Sequence, residues 1–105
     1  MAVTIDDSNF AELVLNSDKP AMIDFWAEWC APCRMIGPFV EQIATEYEDR
    51  AVVGKVNVEQ SPAIANTYGI RNIPTILFFK GGELVDKHVG ATTKAVLTDK
   101  LNALV

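Results

Sequence analysis

Cysteine occurs twice and histidine once in this chain. That is too little for a tetrahedral zinc site built from these residues, which takes four ligands, and too little for a framework of disulfides. Basic residues are also scarce: 9 Lys and Arg stand against 14 Asp and Glu, giving a net charge of -5 and a pI near 4.7. This sign repels phosphate backbones and anionic lipid, so nucleic acid is not an expected partner. No apolar run approaches the ~20 residues that cross a bilayer, and no membrane partner is expected. The opening stretch MAVTIDDSNF holds two aspartates where a secretory signal has basic residues followed by an apolar run. The expected location is therefore the cytoplasm, although an organelle protein trimmed of its targeting peptide would read the same.

What is present is ordinary globular material, half of it hydrophobic and 22% charged. A chain of 105 residues reads as one domain and removes roughly two-thirds of its unfolded surface from water, enough to fold without a staple. There is no repeat, linker or low-complexity tract, and periodicity breaks the chain into short alternating elements. Asp6-Asp7-Ser8 offers caps for a helix with Phe10, Leu13 and Val14 on one side. AMIDFWA, residues 21–27, is the pattern of a strand covered on both faces. From Ala31 a longer helix is expected to turn Met35, Ile36, Phe39, Val40, Ile43 and Tyr47 inward, with Pro38 kinking it. AVVGKVNV from Ala51 reads as a second buried strand, completing a βαβ unit. Ser61 and Pro62 read as the cap and first residue of a short helix ending at Gly69. Residues 75–89 read as a hairpin about Gly81-Gly82, and Thr92 or Thr93 caps a final helix with Val96, Leu97, Leu101 and Leu104 inward. Crossover helices followed by a hairpin imply an α/β fold with a mixed sheet and helices on both faces.

Both cysteines fall in WCAPCR, Trp29 to Arg34, where the first buried strand becomes a helix. With Cys30 as the cap, Ala31 and Pro32 fill the first turn, where a missing N–H costs nothing, and Cys33 takes the third helical position. The free N–H groups and the positive end of the helix dipole favour a thiolate at the cap, so Cys30 is the candidate nucleophile. A purely structural disulfide is a weak alternative, since so small a loop yields about 2 kcal/mol of chain-entropy stabilisation against about 3 for a loop of about fifteen residues. Inert buried thiols are a second alternative, opposed by the proline in the first turn and by Trp29, which no periodicity places in the core. The pattern points to thiol–disulfide redox chemistry.

The segments FWAEWCAPCRMIGP, YGIRNIPTILFFKGGE and VGA, in this order and spacing, resemble the thioredoxin family over essentially all of the chain. The resemblance implies a central five-stranded sheet flanked by four helices, forming a single domain over residues 1–105. It also implies a protein-disulfide reductase without a bound cofactor, acting as a monomer on disulfide-containing proteins and re-reduced by an NADPH-dependent thioredoxin reductase. Two departures stand out: Ala31-Pro32 lies between the cysteines where the family usually has Gly-Pro, and Asn72 stands where glycine is frequent.

Within that resemblance Cys30 attacks a substrate disulfide and Cys33 resolves the mixed disulfide, ending as a Cys30–Cys33 pair. Asp24, a lone carboxylate in an apolar strand, is the candidate base for Cys33; its alternative is a strand-end residue facing water. Lys55 in the neighbouring strand, together with Pro32, is a candidate to tune the pKa values here, and its alternative is a solvated edge residue. Pro74 is expected in the cis form opposite the cysteines. Trp29, Ala31, Ile73, Pro74, Gly82, Gly90 and Ala91 are the candidate substrate contacts, with turn and packing roles as the alternatives. Trp26 is read as core beneath the site and His88 as a surface residue. Two rival classes remain: a binding module that keeps the fold for its surface, which the intact cysteines oppose, and a disulfide oxidase or isomerase domain, which Pro32 and the lack of a signal oppose.

Overall fold

The sheet is built around its most apolar strand. In the computed structural model, which describes residues 1–105, β2 (Ala21–Trp26) is buried along its length except at Trp26. It pairs in parallel with β3 (Val52–Asn57) and antiparallel with β4 (Thr75–Lys80). β1 (Val3–Ile5) adds in parallel outside β3, and β5 (Glu83–Val89) antiparallel outside β4. The strand order is β1-β3-β2-β4-β5, the mixed five-stranded sheet that the resemblance implies.

Each face has its own core. Helices α1 (Ala31–Glu46) and α3 (Lys94–Asn102) cover one side, where Ile36, Val40, Ile43, Leu97 and Leu101 pack on Met22, Val53, Ile76 and Phe78. A one-turn helix, Ala11–Leu15, and α2 (Pro62–Thr67) cover the other side, where Phe10, Val14 and Ile64 meet Ile23, Phe25, Val56, Leu77 and Phe79. The first helix is wound more widely than expected: Asn16 N–H reaches back five residues to the Ala11 carbonyl at 2.9 Å, a π-type bond. Pro38 lies inside α1, and the helix continues for two further turns to Glu46.

The edges depart from what periodicity suggests. β1 is a strand that residue patterning alone passes over: three residues, of which only Ile5 is buried. It docks because Gly54 of β3 leaves room, since a Cβ there would lie 2.6 Å from Ile5 Cγ1 and 3.2 Å from the Val3 carbonyl oxygen. Met35, expected inward, is 69% exposed; it sits one residue off the Ile36–Val40–Ile43 stripe and so on the shoulder of α1. Val96 likewise stands at the margin beside buried Leu97.

The cap of α2 differs from the one expected. The Ser61 side chain makes no cap bond to α2. Asp7, brought alongside by β1, accepts from the Ala63 and Ile64 N–H groups at 3.2 and 3.0 Å. Asp6 performs the local capping, accepting from Ser8 and Asn9 N–H at 2.9 and 3.0 Å, and Thr93 caps α3 through Val96 N–H.

Candidate active site: a dithiol at a helix N-terminus

β2 runs directly into the cap of α1. Cys30 is the N-cap, with extended backbone, and its Sγ accepts from the Cys33 N–H at 3.2 Å. Ala31 and Pro32 occupy the first turn, both exposed. Cys30 and Cys33 are joined as a disulfide, with Cα atoms 5.3 Å apart. Both are buried against Ala27, with Trp26, Val58 and Ile73 around them.

On the far side of the dithiol is the loop before β4. The Ile73-Pro74 peptide is cis, and Cys30 Sγ lies 3.7 Å from the Ile73 carbonyl oxygen. Gly90, with φ +94°, donates its N–H to the Pro74 carbonyl at 2.8 Å, which ties the end of β5 to the same loop and places Ala91 beside it. Trp29 stands 66% exposed in front of Cys30, its indole N–H donating to Glu59 Oε2 at 3.1 Å. Met35, displaced outward from α1, adds a second exposed apolar group on the helix that carries the cysteines. Cys30, Cys33, Trp29, Ala31, Ile73, Pro74, Gly90 and Ala91 thus share one end of the sheet.

Gly82 does not belong with them. It lies in the turn at the opposite end of β4, roughly 20 Å of strand from Pro74, where its missing side chain lets the Leu15 carbonyl approach: a Cβ would meet that oxygen at 2.7 Å. Its value is to the packing of the first helix, and a glycine-rich turn within a matching motif gave no sign of which end of the strand it served.

Asp24 is completely buried, and neither carboxylate oxygen has a hydrogen-bond partner. It shares a sheet face with Met22 and Trp26, the face covered by α1. Burial pushes its pKa from 3.8 up to about 7; Lys55 acts against that rise and Glu41 adds to it. Lys55 is the register partner of Asp24 across β2 and β3. Its ammonium sits 4.7 Å from the centre of the Trp26 ring and 4.0 Å from Glu41 Oε2. Trp26 is half-buried, less enclosed than a core residue, because its ring forms one wall of a cavity also lined by Lys55 and Glu41. His88 is partly buried on β5, opposite Ile76. Sequence reasoning missed Glu41 and Glu59; an acidic residue on a helix or loop carries no periodic signal that separates it from a solvated face.

A dithiol at a helix N-terminus, with a buried carboxyl on the sheet face that the same helix covers, is suited to exchange with a second disulfide. The family model described as Thioredoxin matches residues 1–103. The chain belongs to the thioredoxin family. It is 50% identical to the thioredoxin of Chlorobaculum thiosulfatiphilum, over 91% of this chain and 89% of that protein. It is 50% identical to thioredoxin 1 of Nostoc sp., over 95% and 94% of the two chains, and 46% identical to the chloroplastic M-type thioredoxin of Pisum sativum, over 96% of this chain and 59% of that protein. As a member of the family it is a protein-disulfide oxidoreductase that works by thiol–disulfide exchange through Cys30 and Cys33. No helix is long and apolar enough to cross a membrane.

Proposed function

We propose that the chain acts as a single domain in the reducing direction, taking electrons from an NADPH-dependent thioredoxin reductase and delivering them to protein disulfides in a reducing compartment. The Cys30 sulfur at the cap of α1, already accepting a backbone N–H, supports the exchange chemistry, and the match to thioredoxins supports its reducing direction. The same donor and the helix dipole stabilise the thiolate once the disulfide is opened.

Cys30 thiolate attacks one sulfur of the substrate disulfide, forming a mixed disulfide and expelling the other sulfur as a thiolate. Cys33 gives its proton to the Asp24 carboxylate, and the resulting thiolate attacks Cys30 Sγ. The Cys30–Cys33 bond forms, the second substrate sulfur leaves, and two electrons have passed to the substrate. The support for Asp24 as base is its burial on the α1 face and a pKa of about 7, which divides it between acid and base forms at the working pH. Trp29, Ala31, Ile73, Pro74, Gly90 and Ala91 form the rim on which an extended substrate segment lies, its backbone pairing with the loop before β4.

The test is a redox titration of the dithiol against glutathione buffers, followed by an insulin-reduction assay driven by dithiothreitol and then by a reductase with NADPH. Turnover in both assays, with a disulfide that resists mildly reducing glutathione, is expected. Ready reduction by glutathione without insulin turnover would assign the chain to the oxidase class instead.

A further inference from the structure

Glu41 of α1 has two partners that no local pattern supplies. Its Oε1 accepts the Ala2 N–H at 2.8 Å across 39 residues, and its Oε2 stands 4.0 Å from Lys55 Nζ. The first contact fixes the carboxylate to the backbone ahead of β1. The second aims it at the one cation beside Asp24. A Cβ at Gly37, one helical turn before Glu41, would lie 4.0 Å from Lys55 Nζ, which places the ammonium against this turn of α1. Lys55 is therefore suspended between Asp24 on its neighbouring strand, Glu41 on the helix above and the face of Trp26.

We propose that Glu41 is a positioning residue for the exchange reaction: held by the Ala2 amide, it shares the Lys55 ammonium with Asp24 and so sets how much positive charge stands against the group that takes the Cys33 proton. The inference rests on the reading of Asp24 as base. A carboxylate facing the same cation works in two ways, repelling charge on Asp24 directly and drawing the lysine off it, in line with the rise that Glu41 adds to the Asp24 pKa. The remaining groups around Asp24 are few. In the first turn of α1, Cys33 is held in the disulfide and Arg34 is exposed, its guanidinium donating to the Glu28 carbonyl at 2.8 Å; β4 faces Asp24 with apolar Ile76, and Asp6 and Met1 line the cavity that Glu41 and Lys55 share. Glutamine at position 41 retains an oxygen for the Ala2 N–H and removes only the charge.

The experiment titrates the Asp24 carboxyl by carbon NMR in the oxidised protein, where no thiol titrates with it. The proteins are the native chain, Glu41→Gln, Lys55→Met and the double variant. Glu41→Gln is expected to lower the Asp24 midpoint by about half a pH unit or more, and Lys55→Met to raise it. In the Lys55→Met background the Glu41→Gln shift should fall below half its native size, because the part carried through the lysine is gone. Glu41→Asp should restore part of the shift. An unmoved midpoint in Glu41→Gln, or an equal shift in both backgrounds, overturns the proposal. The pH profile of the resolving step, followed on a preformed mixed disulfide, separates the two readings. Its acid limb should track the Asp24 midpoint through the series. If the midpoints move as stated and the limb does not, the charge sharing holds and the assignment of Asp24 as base fails.

Discussion

The Cys33 backbone nitrogen donates to Cys30 Sγ at 3.2 Å, so the two active cysteines are unequal before any substrate arrives. One sulfur is solvated by a helix terminus; the other belongs to the residue that supplies the donor. Limiting iodoacetamide at neutral pH should alkylate Cys30 first in the reduced protein, as peptide mapping will read. Cys33→Ser should accumulate mixed disulfides with substrate, whereas Cys30→Ser should trap few. Equal labelling of the two sulfurs would remove the cap as the source of reactivity.

Replacing Asp24 by Asn keeps the shape and removes the charge. A carboxyl with a folded pKa of about 7 against 3.8 for the ordinary group binds more protons folded than unfolded between those values, so its contribution to stability falls as pH rises through that window and is flat above it. Asp24→Asn should therefore match the parent near pH 4 and exceed it by a few kcal/mol at pH 8, measured as denaturant midpoints at both pH values. The resolving step should slow in the same variant. A stability difference independent of pH would show that the carboxyl is not neutralised in the fold.

Gly54→Ala places a methyl where Ile5 Cγ1 already stands, 2.6 Å from the ideal Cβ position. Overpacking of this kind costs about 1–3 kcal/mol, and the loss should appear as faster hydrogen exchange of the β1 amides. Because the clash is with one side chain, Ile5→Ala in the Gly54→Ala background should destabilise less than the two single losses added together. Additive losses would mean that the Val3 carbonyl, 3.2 Å away, is the obstacle.

Ala31 holds the first position of α1, behind the Cys30 cap. Alanine loses less backbone entropy than glycine on ordering, a difference of up to about 1 kcal/mol in a helix interior. Since 30 mV corresponds to about 1.4 kcal/mol for this two-electron couple, Ala31→Gly should shift the reduction potential by no more than roughly 20 mV, with slightly lower thermal stability in both redox forms and insulin reduction intact. A shift several times larger in a glutathione titration would mean that the exposed methyl acts by contact with substrate or reductase.

Sequence alone determined the parts governed by neighbours within a turn or a strand. The cysteine spacing with its intervening proline set the cap of α1, because the cap bond from Cys33 to Cys30 spans three residues. The unbroken apolar run of β2 announced a strand covered on both sides, and the glycine pair placed the hairpin. Family resemblance supplied the fifth strand, whose three residues hold too little pattern to be read alone. Tertiary structure decided what depends on strand order and packing. Asp7 capped α2 in place of Ser61 because β1 carried it there, 56 residues away in sequence. Gly82 proved to serve the first helix rather than the dithiol, because antiparallel pairing sends the two ends of β4 to opposite ends of the sheet. The environment of Asp24 was settled in the same way. Its place in an apolar strand suggested burial, but the missing hydrogen-bond partners and the Lys55–Glu41 pair alongside follow from β3 and α1 closing over it. Electrostatic energies depend on distance and burial, and neither exists until the chain has folded.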